Sequence, residues 1–176
     1  WFAILKRVNM KEKKTRKRQE ESGKELEEKV VYINRCSKVV KGGRRFSFSA
    51  LIVVGDGQGS IGCGFAKANE VSDAVRKGGE AARKNMVSFD LEGTSIPHEV
   101  HANSDGATLM LKPAKPGTGI IAGPKVRMIL ELVGIKDVIA KIFGSNNPLN
   151  QARVTLKALS MLVNRKQIQE ERQKTQ

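Results

Sequence analysis

The chain has 176 residues, of which 39% are hydrophobic and 28% charged, so it is long enough for one domain or two small ones with a buried core. Its formal net charge of +14 predicts acidic partners such as nucleic acid or an anionic membrane surface. Only 5% of the residues are aromatic, which argues against base stacking as a major binding mode, and no apolar run approaches the roughly 20 residues that would span a bilayer.

The positive charge is concentrated near the amino terminus. Residues 1–45 carry net +9, residues 46–90 net 0 and residues 91–176 net +5. Because residues 6–18 hold eight cations and lack apolar periodicity, we expect residues 1–25 to be a disordered basic arm. An arm that orders on RNA is favoured over a solubilising tail. The chain opens on Trp1, so Met10 is a candidate natural start, with residues 1–9 an upstream extension. Residues 20–28 predict one short helical turn.

A cationic loop between two strands is the main feature of the first half. Residues 30–33 and 46–54 are rich in β-branched and aromatic residues and predict strands. Residues 38–45 predict a loop in which four cations surround a Gly-Gly pair, whose glycines permit positive φ and a close approach to phosphates. A solvated hairpin tip is the alternative interpretation.

The rest of the first half predicts a strand and a helix. Residues 55–59 form a Gly/Asp turn, and residues 61–66 alternate with a strand period. Residues 57–62 match GxGxxG, but a strand follows where a dinucleotide site needs a helix, so these glycines are assigned to turns and close packing. A helix capped by Asn69 has a small apolar face that can lie close against a sheet. Residues 86–89 predict an edge strand or a linker.

The second half predicts an α/β arrangement. Residues 95–102 and 107–112 form a hairpin around a turn at 103–106. Prolines and glycines in residues 112–124 predict no regular structure, and Pro124 begins a helix that Gly134 ends. A strand at 138–143 and a final helix over 149–163 complete the half.

The candidate sites for other chemistry are weak. His98 and His101 fall on opposite strand faces without a ligand cluster, and Cys36 and Cys63 give no zinc or disulfide pattern. We therefore expect no metal, no cofactor and reduced thiols.

An enzyme is the second functional hypothesis. Lys112 and Lys115, in a Gly-rich loop before a helix, could cradle phosphates as in a nucleotide kinase. However, the P-loop spacing is absent, and Asp105, Glu131 and Asp137 form no recognisable pair. We therefore predict no catalytic residues and no small-molecule substrate.

Eight motifs in order resemble the bacterial small-subunit ribosomal protein S5 family over about residues 25–163. They are Asn34-Arg35, Val40-Lys41-Gly42-Gly43-Arg44, Phe46-Ser47-Phe48, Val53-Val54-Gly55-Asp56-Gly57, Gly64-Phe65-Ala66-Lys67-Ala68, Ala82-Arg83-Lys84-Asn85-Met86, Pro116-Gly117-Thr118-Gly119-Ile120-Ile121-Ala122-Gly123 and Gly144-Ser145-Asn146-Asn147-Pro148.

The resemblance implies an α+β and α/β fold of two small domains. Residues 26–89 would form a βββα domain similar to a double-stranded-RNA-binding domain, and residues 94–164 an α/β sandwich with a left-handed βαβ crossover, an exception to the usual hand. Residues 165–176 would be a polar tail. A free-standing duplex binder is the alternative, but such binders carry lysines at the start of this helix, where residues 69–73 are acidic.

The resemblance also implies a function and its residues. The chain would be a cytoplasmic, ribosomal structural protein that binds small-subunit ribosomal RNA, stabilises the head relative to the body near the messenger entry and contributes to translational accuracy. Its neighbours would be ribosomal proteins S4 and S8, with no membrane partner. Family changes in the loop matching residues 38–45 give spectinomycin resistance, a role assigned here to residues 40–44. With the charge pattern, this predicts RNA contacts at Arg35, Lys38, Val40, Lys41, Gly42, Gly43, Arg44, Arg45, Lys67, Arg83, Lys84, Lys112 and Lys115.

Overall fold

The computed structural model describes residues 26–89, 91 and 93–163; the predicted basic arm and polar tail lie outside these residues. In chain order the elements are β1 (Glu27–Val40), β2 (Gly43–Gly55), β3 (Ser60–Ala68), α1 (Val71–Lys84), β4 (Met86–Ser88), β5 (Val100–Ser104), β6 (Ala107–Pro113), β7 (Ile120–Ile121), α2 (Pro124–Val133), β8 (Val138–Gly144) and α3 (Pro148–Ser160). They form two four-stranded sheets, ordered β1-β2-β3-β4 and β5-β6-β8-β7. The predicted fold, a βββα domain followed by an α/β domain, is confirmed.

The first two strands are longer than predicted. β1 and β2 pair from Glu27↔Gly55 to Val40↔Gly43, with a bulge between Val30 and Tyr32. The helical turn expected up to residue 28 is therefore wrong at its end, and residues 38–45 are strand rather than loop except for Lys41 and Gly42. Strand pairing uses backbone groups and its register is set by a two-residue turn, so cationic side chains do not prevent it.

Helix α1 lies close against one face of the first sheet. Ala74, Gly78 and Ala82 are buried on the helix. A Cβ at Gly62 or Gly64 on β3 would overlap the carbonyl oxygens of Ala82 and Gly78, respectively. The prediction that these β3 glycines serve close packing is confirmed.

The predicted cap of this helix is wrong by one residue. The N-cap is Glu70, which has extended backbone angles and makes no side-chain cap hydrogen bond. Its carbonyl oxygen accepts the first helical hydrogen bond, from the N–H of Ala74. The buried small residues set the phase of the helix, and this outweighs the better capping side chain of Asn69.

The other face of the first sheet packs on the second domain, so the two domains share a core. Leu51, Val53 and Ile61 from the first sheet belong to the same buried cluster as Leu130 and Leu132 from α2. The β2–β3 turn is also bonded to the end of α2. The N–H of Gly57 donates to the carbonyl oxygen of Leu132 (3.0 Å), and the N–H of Gly59 donates to that of Val133 (2.8 Å).

The second domain differs from the predicted one at several boundaries. The strand predicted from residue 95 begins at Val100, and the final helix ends at Ser160. The β5–β6 turn consists of Asp105 and Gly106, both with positive φ, as a tight hairpin turn requires. Helix α2 keeps its predicted bounds, with Gly134 left-handed at φ 98°.

One short strand lies where no regular structure was predicted. β7, at Ile120–Ile121, pairs in parallel with β8 through Ile120↔Val138 and Ile121↔Ile139. Helix α2 connects the pair, which is the helix-then-strand arrangement expected of this half. Two residues between glycines are too short to produce a strand period in the sequence.

The glycine packing predicts a difference between two neighbouring sites. Gly64→Ala should lower the free energy of unfolding by about 2 kcal/mol or more, because its Cβ would overlap the backbone of α1. Gly79→Ala is the matched control. Its Cβ would meet only the flexible Glu28 carboxylate at 3.2 Å, and alanine favours the helix by up to about 1 kcal/mol. Urea unfolding midpoints, compared at an unchanged denaturant slope m, measure the stability of both variants. A Gly64→Ala protein as stable as its parent would contradict the close packing of β3 against α1.

Candidate nucleic-acid interface

Residues 36–47, here called the basic ribbon, extend beyond the rest of the first sheet. β3 pairs with β2 from Phe48 to Gly55, so within the described chain residues 43–47 of β2 pair with β1 alone. Cys36, Val40 and Ser47 are half-buried, and the other ribbon residues are exposed. A two-stranded ribbon is only marginally stable in water, so a binding partner would add order to this segment.

The tip of the basic ribbon is a two-residue turn. Val40 pairs with Gly43, which leaves Lys41 and Gly42 as the turn residues. Gly42 has φ 92°, and a Cβ there would have no described atom within 4 Å. Glycine is therefore required by the backbone angle and not by crowding, and the open space around the tip is available to a partner.

The cations of the basic ribbon are arranged on both of its faces. Lys38 lies directly opposite Arg45, and Arg44 lies opposite Val39 on the other face. The sequence from residue 36 to 47 contains no Asp or Glu. Like charges directly opposite each other destabilise a strand pair, and a polyanion between them would relieve the repulsion.

The root of the basic ribbon carries a stacked pair that sequence reasoning did not find as a site. The Arg35 guanidinium carbon lies 3.7 Å from the centroid of the Phe46 ring. Both side chains are exposed, the Phe46 residue to 46%. Arg35 was a predicted contact, but Phe46 was interpreted only as a strand residue. Its alternation with Phe48 could have placed it on a face next to Arg35, had the length of β1 been known.

Lys67 lies near the same end of the sheet. It pairs with Ser49, whose other cross-strand neighbour is Asn34. Since alternate residues of a strand share a face, Lys67 is on the face that carries Lys38 and Arg45. The fold thus brings Lys67 toward the basic ribbon, at its base.

The other predicted contacts lie elsewhere. Arg83 and Lys84 end α1 beside Glu28, thirteen residues along β1 from Lys41, which corresponds to about 40 Å. An Arg83 nitrogen lies 2.7 Å from a Glu28 carboxylate oxygen. These two cations therefore belong to a separate surface from the basic ribbon.

Lys112 and Lys115 belong to the second domain. Lys112 Nζ lies 3.4 Å from Glu99 Oε1, which also lies 3.0 Å from His101 Nε2. The hydrogen bond with His101, together with Lys112, lowers the pKa of the Glu99 carboxyl. Lys112 is thus already paired with an acid, while Lys115 is exposed in the loop before β7.

Asp137, not predicted as a binding residue, organises the Gly-rich loop that carries Lys115. It is only 5% exposed, and its Oδ1 accepts the N–H of Gly119 at 2.9 Å. That hydrogen bond, together with others from Thr94, Gly117 and Thr118, lowers the pKa of the Asp137 carboxyl. The backbone donors that could have held a phosphate are therefore directed at a carboxylate of the same chain.

Two of the cations on the outer surface of α1 are already paired with acids. Arg76 lies 3.3 Å from Asp73 and 3.6 Å from Glu80, and Arg83 is paired with Glu28. Cations that are already paired with carboxylates gain less from phosphate. This arrangement disfavours the free-standing duplex binder.

The described residues show no alternative chemistry. They contain no group of three or more His, Cys, Asp or Glu that could hold a metal ion. Cys36 and Cys63 are free, and burial raises the pKa of the Cys63 thiol to about 11, so it stays protonated at neutral pH. Of the helices between residues 71 and 160, none is long and apolar enough to cross a membrane.

Comparison with known proteins gives one family for both halves. Residues 26–90 match the N-terminal domain of ribosomal protein S5, and residues 102–172 match its C-terminal domain. The chain is 64% identical over 152 residues to small ribosomal subunit protein uS5 of Chlamydia felis, covering 86% of this chain and 92% of that one. The protein of the same name from Protochlamydia amoebophila is 63% identical over 157 residues, covering 89% and 94%.

The loop held by Asp137 yields a pH-dependent prediction. Folding lowers the pKa of the Asp137 carboxyl, so its carboxylate stabilises the fold at pH values above about 3.9, the pKa in the unfolded chain. This contribution is lost as the pH falls through the lower pKa of the folded state. Asp137→Asn should therefore be less stable than the parent at pH 7, and the gap should close below about pH 4.

Thermal unfolding across pH checks this. Asp105→Asn is the control, because Asp105 is exposed and asparagine tolerates its positive φ of 51°. At neutral pH, Asp105→Asn should lower the stability of the protein less than Asp137→Asn does. A difference between parent and Asp137→Asn that does not change with pH would contradict the assigned role.

Proposed function

This chain belongs to the ribosomal protein S5 family, and we propose that its basic ribbon is the part that enters small-subunit ribosomal RNA. The protein is a structural, non-enzymatic constituent of the small ribosomal subunit. The observation that carries the proposal is the ribbon itself, in which Lys38, Lys41, Arg44 and Arg45 project beyond the packed sheet with no acid among them.

The physics of RNA recognition supports this placement. A-form RNA has a deep, narrow major groove, and proteins recognise it mainly through phosphates, sugars and shape. A ribbon two strands wide can reach between phosphate chains that a whole domain cannot enter, and each cation that neutralises a phosphate releases a counterion. The Lys41-Gly42 turn keeps the tip of the ribbon narrow.

We propose that the remaining predicted contacts differ in how much they contribute to RNA binding. Lys67 is the best placed, since it lies at the base of the ribbon on the face of Lys38 and Arg45. Lys84 and Lys115 are exposed on separate surfaces and would meet other RNA segments. Arg83 and Lys112 would first have to leave Glu28 and Glu99, so we expect smaller contributions from them.

We further propose the finer role that the family resemblance implies. The chain would hold the head of the subunit relative to its body near the messenger entry, contribute to accuracy and contact S4 and S8. The shared core of the two domains supports such a role, because it fixes the ribbon relative to the surfaces of the second domain. A single stiff body touching several RNA segments resists their relative motion.

Removing a ribbon cation should reduce the salt dependence of RNA binding. Lys41→Ala and Arg44→Ala should each lower the slope of log K against log salt by about 0.7–0.9, because one phosphate contact is lost. Binding to protein-free small-subunit ribosomal RNA at several salt concentrations measures this. Arg76→Ala, which removes a cation held between Asp73 and Glu80, is the matched control and should leave the slope nearly unchanged.

Sedimentation tests the assignment in the cell. The protein should travel with small subunits in a sucrose gradient and remain there after a high-salt wash, as expected of an integral component. Recovery among free proteins, or unchanged slopes for both ribbon variants, would contradict the proposed function.

A further inference from the structure

We propose that Arg35 and Phe46 form a stacking platform for one unpaired RNA base at the root of the basic ribbon. The inference rests on the proposed function, since it concerns how the same ribbon binds RNA. It adds a contact of a different kind, because stacking recognises a flat base where the neighbouring cations recognise phosphate.

The geometry places a flat cation on an aromatic ring where a base can reach it. The Arg35 guanidinium carbon is 3.7 Å from the Phe46 centroid, which is stacking distance. Arg35 is exposed, and Phe46 is 46% exposed even with the guanidinium over it. A base can therefore continue the stack on the free side of the guanidinium.

The surroundings of the pair suit a nucleotide. Arg44 lies on the same ribbon face, because it is two residues from Phe46 along β2. It lies about 7 Å along the strand from Phe46 and can neutralise the phosphate of a base stacked on the pair. Helix α1 packs where β2 carries Ala50 and Ile52, further along the strand, and the pair lies beyond that cluster.

The chemistry restricts which bases can bind. Bases inside a duplex already stack on their neighbours, so the ligand must be a bulged, looped or otherwise unpaired nucleotide. Stacking tolerates any base, because every base has a π face. One such platform is compatible with the low aromatic content, which argues only against stacking as the main source of affinity.

A purely structural pair would look similar in the free protein. Arg35 and Phe46 are diagonal neighbours across β1 and β2, and such pairs stabilise ribbons. The two roles differ in what they predict for RNA. Loss of a structural pair would weaken every RNA equally through the ribbon, whereas loss of a platform would weaken only RNA that offers an unpaired base.

The test uses the full chain, two RNAs and charge-conserving variants. Arg35→Lys keeps the charge and loses the plane, and Phe46→Leu keeps an apolar residue and loses the ring. Dissociation constants are measured over a salt series for protein-free small-subunit ribosomal RNA and for a perfect RNA duplex of about 16 base pairs, the span of a duplex-binding domain. The controls are Arg76→Lys, at a cation held between Asp73 and Glu80 on α1, and Phe65→Leu, at a similarly exposed ring (54%) on β3.

We expect both platform variants to bind ribosomal RNA about 5-fold to 100-fold more weakly at every salt concentration, with an unchanged salt slope. Their binding to the duplex should match that of the parent, and the controls should stay close to the parent on both RNAs. Equal losses on both RNAs, or no loss on ribosomal RNA, would overturn the proposal.

Failure of the inference is distinguishable from failure of the proposed function. If the parent does not bind ribosomal RNA, or if Lys41→Ala and Arg44→Ala both leave the salt slope intact, the basic ribbon is not the RNA-binding element and both proposals are wrong. If the slope responds to Lys41→Ala while Arg35→Lys binds as the parent does, only the platform is wrong.

Discussion

The backbone contact between the β2–β3 turn and the end of α2 is the constraint on which the rest of the architecture depends. Gly57 and Gly59 donate to the last carbonyls of α2, and a Cβ at Gly55 or Gly134 would overlap backbone there. At this contact one face of the first sheet packs on the second domain, while α1 covers the other face. With both faces covered, β2 is buried from Ser49 to Gly55, and its exposed end is the one farthest from the β2–β3 turn, in the basic ribbon.

Charge and packing are therefore separated along the same two strands. Near Gly55, β2 is buried continuously from Ser49, and the strand contributes to both cores. Near Gly43, it carries Arg44 and Arg45 and is exposed. The packed end supplies the stability that the ribbon lacks by itself, because a cationic two-stranded segment buries little apolar surface. The proposed binding element, which is only marginally stable by itself, is thus held in place by the packed core at the other end of the same strands.

Much of this could be predicted from the sequence, and the misses have identifiable causes. The strand predicted from the alternation of residues 61–66 and the small apolar face predicted for α1 were both correct, because local periodicity and residue size determine them. The ribbon was predicted as a loop, because cationic residues give no strand period and the pairing depends on the partner strand. Phe46 was missed as a site residue because its neighbour Arg35 is eleven positions away and adjacent only once the register is set. Asp137 was missed because its partners are backbone N–H groups, which no side-chain pattern displays.

The loop held by Asp137 shows why a phosphate-binding pattern must be tested by its hydrogen bonds. Glycines, lysines and a following helix gave residues 112–124 the composition of a phosphate-binding loop. A loop that binds an external anion needs N–H groups without internal acceptors, but here a buried carboxylate accepts from Gly119 and its neighbours. An incoming phosphate would meet that negative charge at the same donors. Among the described residues, the cations of the basic ribbon have no carboxylate partner, and this difference, more than the number of lysines, favours the first domain for the proposed RNA contact.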